Sequence, residues 1–202
     1  RWDPVTDFNA ELQVIAGSDF WVADHVGILV SMLFLAAGLV MIARTMSEGP
    51  TGAIAWMAAA ILTIAVTITV ADVAIEAIVV RPEASHWAGA TSADRPIAEL
   101  AAVVAARTDQ ALFVAGSIAF GLAGLLFGLA LAGGTAYPHW LGYVALVAGA
   151  VAILTGLAEA LTGLSPALTL GLFPLSLALL VVWVVGAGVV LWRRAGSGLG
   201  GA

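Results

Sequence analysis

Seven ionisable side chains fall at or near the ends of long apolar runs: Asp24, His25, Asp72, Glu76, Arg107, Asp109 and Glu159. Near the centre of a membrane helix such a group costs at least about 2.5–3.5 kcal/mol, which makes each a candidate for function. Four carboxylates, Asp72, Glu76, Asp109 and Glu159, outnumber the one nearby arginine, Arg107. Buried carboxylates in excess of their counter-charges must take up protons or bind a cation. Three readings stay open. In the first, Arg107 neutralises Asp72 or Glu76 in a structural ion-pair network. In the second, the acids form a proton or cation site. In the third, His25, Asp72, Glu76, Asp109 and Glu159 are metal ligands, with Asp24, Arg107 and Gln110 completing the pocket.

Against a metal, no HxxxH or HxxE spacing is present, and successive residues such as Asp24 and His25 point about 100° apart on a helix. A single-His haem through His25 is a remaining alternative. Nucleophilic catalysis has little support, because Ser31 and Ser117 lie among small residues that pack. The reading is therefore non-enzymatic before enzymatic. The chain has no Cys, so disulfides, thiolate metal sites and Fe–S clusters are excluded. All seven cationic residues are arginines, and without Lys no retinal or pyridoxal Schiff base can form. A net charge of −6 with no basic patch argues against nucleic acid.

These residues need elements to carry them. Of the 202 residues, 62% are hydrophobic and 10% charged, too few charges to build a water-facing surface. Five apolar runs are long enough to cross a bilayer, at about 21–42, 52–80, 109–132, 140–161 and 168–192. They do not alternate, so the fold expected is an all-α integral membrane bundle in one domain. Turn chemistry bounds them: Ser47–Pro50, Arg81-Pro82, Gly133-Gly134 and Gly163–Pro166. The second run is longer than a bilayer requires and is expected to project with Asp72 and Glu76. Pro174 is expected to kink or interrupt the fifth run near its start.

Two segments do not span. Residues 1–20, too polar for a signal peptide, carry Phe8, Leu12 and Ile15 at helical spacing behind Asp7 as an N-cap, which predicts a short amphipathic helix. Residues 81–108 form an outer loop and cap, with a helix begun by Asp94 and Pro96 that could run on into the third span. Trp87 in this loop could cover a pocket. Following the chain back and forth brings all seven ionisable residues to one depth, in the outer third. Small residues recur three or four apart in four spans: Asp24, Gly27, Ser31, Gly38; Ala58, Ala65, Thr69, Asp72, Glu76; Gln110, Ser117, Gly121, Gly124, Gly128; and Gly142, Ala145, Gly149, Ala152, Gly156, Glu159. Such stripes pack helix on helix.

The FGLAGLLFG of 120–128, the YPHWLG of 137–142 and the glycine-spaced fourth span resemble a family of bacterial multi-helix integral membrane proteins. In that family a Gly-Leu-rich helix leads through a short loop to a Pro-x-x-Leu-Gly helix start. Asp24 in ADHVG also sits where similar proteins carry a polar residue opening a helix. The resemblance covers about residues 20–160 and implies architecture; no activity comes with it. Many such proteins have a further first helix, which this sequence is not expected to supply.

The expectation is a multi-pass protein of the cell membrane, N-terminus outside and, from Trp192-Arg193-Arg194, C-terminus cytoplasmic. It would be an accessory subunit or binding module with an acidic outer pocket for a cation or small ligand, alone with the lipid bilayer, in a larger membrane complex or as a homo-oligomer. The alternatives are a proton- or cation-coupled transporter and a membrane-embedded metal enzyme.

Overall fold

The computed structural model describes residues 8–46, 49–163 and 171–198. Among them there is no strand. The helices are α1 (Phe8–Gly17), α2 (Trp21–Thr45), α3 (Gly49–Ile75), a π-helical turn (Glu76–Val80), α4 (Arg81–Gly89), α5 (Arg95–Gly133), α6 (His139–Thr162) and α7 (Phe173–Gly198). Five helical stretches are long and apolar enough to cross a membrane: Trp21–Thr45, Gly49–Gly89, Arg95–Gly133, His139–Thr162 and Phe173–Arg193. Asp7, the expected N-cap, lies outside the described residues. Residues 171 and 172 are π-helical and lead directly into α7, so Pro174 stands just past an irregular turn at the start of the fifth run.

One boundary expected from the sequence is overturned. Arg81-Pro82 does not end the second span; the helix continues through it to Gly89, 41 residues in all. Pro lacks the N–H of an α-helical ladder, and its ring clashes with a carbonyl one turn back. The π turn resolves this by widening the ladder before Pro82: the Arg81 N–H donates to the Glu76 carbonyl, five residues behind it. As expected, the helix that opens at Asp94-Arg95-Pro96 runs unbroken into the third span. At ~1.5 Å per residue these two rods are about 60 Å long, twice the ~30 Å hydrocarbon core.

Their projecting ends make a cap with a core of its own. Leu12 and Ile15 of α1 pack with Val80, Ala84 and Trp87 below Ala98, Ala102 and Ala105 of α5. Trp87 is thus a core residue of the cap, not a cover over a pocket. Arg95 stacks on its ring at 4.1 Å and donates to its carbonyl. The main core lies in the other half of the bundle, around Leu62, Phe127, Leu131 and Leu141.

The small-residue stripes of the third and fourth spans meet as expected. A Cβ on Gly149 would lie 2.6 Å from the Gly121 carbonyl oxygen, and one on Gly142 2.5 Å from the Ala132 nitrogen. α5 and α6 therefore touch backbone to backbone. α3 packs along α5, α2 packs on α3, and α7 packs on α6.

Candidate functional site

The π turn builds one side of the site. Glu76 opens it, and its carbonyl also accepts from the Trp21 indole N–H at 3.2 Å. Trp21 in turn stacks on His25 with ring centroids 4.6 Å apart. His25 is 6% exposed. Its Nδ1 lies 2.6 Å from the Trp21 carbonyl oxygen, which can only accept, so Nδ1 carries a hydrogen. Its Nε2 lies 3.0 Å from Glu76 Oε2. One further proton must occupy that contact, on the ring or on the carboxyl. The carboxylate partner of His25 thus comes from the π turn that follows α3, on the neighbouring span.

Asp72 stands one turn before Glu76 and is 7% exposed. Its carboxyl hydrogen-bonds that of Asp109 on α5. Oδ1 of each is buried with no N–H or hydroxyl donor against it. A hydrogen bond between two carboxyls requires a proton between them. Glu159, 5% exposed on α6, hydrogen-bonds Gln110. Gln110 also accepts from Arg107 Nη1 at 2.7 Å.

These contacts sort the sequence candidates. His25, Asp72, Glu76 and Asp109 come together as two proton-sharing pairs, with Glu159 and Gln110 beside them. Arg107 does not neutralise Asp72 or Glu76: it is exposed and ends on the Gln110 amide. Asp24 is exposed too, about 100° round α2 from the buried His25. Among the described residues no three His, Asp or Glu side chains are grouped to hold a metal ion.

The stripe expected to pack in the first span does something else. Gly27 and Gly38 have open space where a Cβ would point. Asp24, Gly27 and Ser31 instead line a cavity of about 680 Å³, within the usual ~300–1,000 Å³ of ligand pockets. α2 and α7 flank it, and α3, α5 and α6 form its back. Asp72, Thr69 and Ser117 give its polar end; Leu35, Leu39, Phe127, Leu180 and Trp183 make the rest apolar.

Sequence reasoning missed Glu11. It is half-buried on α1, close enough for the Glu76 charge to act on it. Burial first, and then Glu76, push its carboxyl above the usual 4.5. The available signal was its place between Phe8 and Ile15 on the apolar face of α1. No protein-family model, curated protein or solved structure matches this chain.

Proposed function

We propose that this is a non-enzymatic membrane protein that binds a small ligand or cation in the cavity between α2 and α7. One observation carries the reading: Asp72 is an acid in a cavity wall, almost fully buried, and among the described residues no salt bridge reaches it. A group of that kind is retained at the expense of stability unless something uses it. The cap end is taken as the outer side, which puts Arg44 and Arg193 at the cytoplasmic face.

Association with other chains is part of the reading. Ile97, Leu100 and Val104 are 71%, 64% and 57% exposed on the projecting part of α5. Their spacing makes one apolar stripe outside the bundle, which suits an accessory subunit or a homo-oligomer.

Native mass spectrometry after purification in mild detergent tests both parts. The expected result is a co-purified small molecule, depleted in Asp72→Asn, and a partner chain or second copy. A protein that carries no small molecule, and binds none on addition, would sink the ligand reading.

The second reading is a proton-coupled carrier, favoured by the proton held between Asp72 and Asp109. Glu76→Gln and Glu159→Gln in proteoliposomes would then change ligand-driven proton flux. Absence of any flux in the unaltered protein would leave the binder.

A further inference from the structure

The cavity wall carries two ionisable groups, Asp24 and Asp72, and both are acids. At the same end Phe113 and Phe173 stand with ring centroids 5.7 Å apart. Phe113 is one turn beyond Asp109 on α5. Carboxylates beside aromatic faces are the surroundings that hold an ammonium group. An anionic head would meet only like charge there, and an uncharged one would leave Asp72 without a counter-ion.

Beyond this end the wall turns apolar along Met32, Leu35 and Leu39 of α2 and Leu177, Leu180 and Trp183 of α7. From Asp24 to Leu39 the cavity follows about 22 Å of helix at ~1.5 Å per residue. A cavity of that length has room for an extended hydrocarbon chain. The gap between α2 and α7 faces the membrane side of the bundle. Ile28 and Leu177, both in the cavity wall, are 40% and 51% exposed on the two flanks. α2 and α7 are also the least buried spans, at 17% and 11% of their apolar windows. An occupant reaching the cavity through that gap arrives from lipid.

Resting on the ligand-binding reading above, we infer that the occupant is an amphiphile with an ammonium head and one long hydrocarbon body. It is drawn from the bilayer between α2 and α7, and its head is held at Asp72 and Asp24. The two acids contribute differently. Asp72 belongs to a desolvated carboxyl pair that, with one proton shared with Asp109, carries one negative charge, whereas Asp24 stands at the rim and meets the head first.

The test uses the full chain in an uncharged maltoside detergent. Dodecyltrimethylammonium, dodecanol and dodecyl sulfate are added below their micelle concentrations, with tetramethylammonium as the head alone. Native mass spectrometry and the melting temperature are read. The expected result is a one-to-one adduct with dodecyltrimethylammonium, about tenfold tighter than with the alcohol or the sulfate. Asp72→Asn and Leu177→Trp should each weaken it about tenfold. Asp24→Asn, at an exposed position, should weaken it without changing the melting temperature of the unliganded protein. Equal binding of the alcohol or sulfate, or binding unchanged in both aspartate variants, overturns the inference. Tetramethylammonium binding as tightly as the dodecyl compound overturns the amphiphile and leaves a ligand site standing. Failure of all four probes while another small molecule co-purifies does the same. Failure of every probe with nothing co-purified overturns both.

Discussion

At the scale of single residues, the cap end of the bundle is a place where carboxyls must share protons. Glu11 reports on this from outside the spans. The folded chain holds its proton more tightly than an unfolded chain would, because burial and the Glu76 charge both disfavour the ionised form. Its contribution to stability is therefore full below the usual 4.5 and falls as pH rises through the raised value. Glu11→Gln removes that loss. Its melting temperature is expected to exceed that of the unaltered protein by a few degrees at about pH 8 and to match it at about pH 4. A gain of equal size at both values would assign the effect to packing. The positions of these acids were legible in the sequence because a charge inside an apolar run stands out. Their pairing was not. Helical periodicity tells which residues share a face of one helix, but whether Glu76 meets His25 or Arg107 depends on how two helices cross.

At the scale of elements, the sequence spoke most clearly where shape alone decides. Small residues three and four apart on 121–128 (glycines) and 142–156 (glycines alternating with Ala145 and Ala152) leave a groove in each helix, and the two grooves close on one another. Gly149→Ala puts a methyl 2.6 Å from a carbonyl oxygen that cannot move aside without bending α5. Overpacking of this kind destabilises by about 1–3 kcal/mol. Thermal denaturation in detergent should show the loss, whereas Gly27→Ala, with open space at its Cβ, should lose much less. The same small-residue signature misled on α2. Small side chains permit close packing, but they equally leave room, and on α2 the room became a cavity wall. Pro82 misled for a different reason. A proline stops a regular α-helix, but one wide turn ahead of it removes the clash, and that turn leaves no mark in composition.

At the scale of the whole molecule, the absence of Cys makes topology directly testable. Ser92, in the connection before α5, and Thr135, in the connection after it, are both exposed. In intact cells a membrane-impermeant maleimide is expected to label Ser92→Cys, and to label Thr135→Cys only after permeabilisation. Labelling of both without permeabilisation would contradict α5 as a crossing. The backbone contact between α5 and α6 has a last consequence. With α3 laid along α5, three helices make a back that cannot yield. α2 leans on this block chiefly through α3 and the π turn, and α7 chiefly through α6, with two ring contacts to α5, Phe113–Phe173 and Phe127–Trp183. Either can swing outward without breaking the block. Asp72 belongs to the unyielding part, and the apolar wall is half supplied by the two that swing. The molecule is thus built to be strict about one end of whatever it holds and tolerant about the girth of the other.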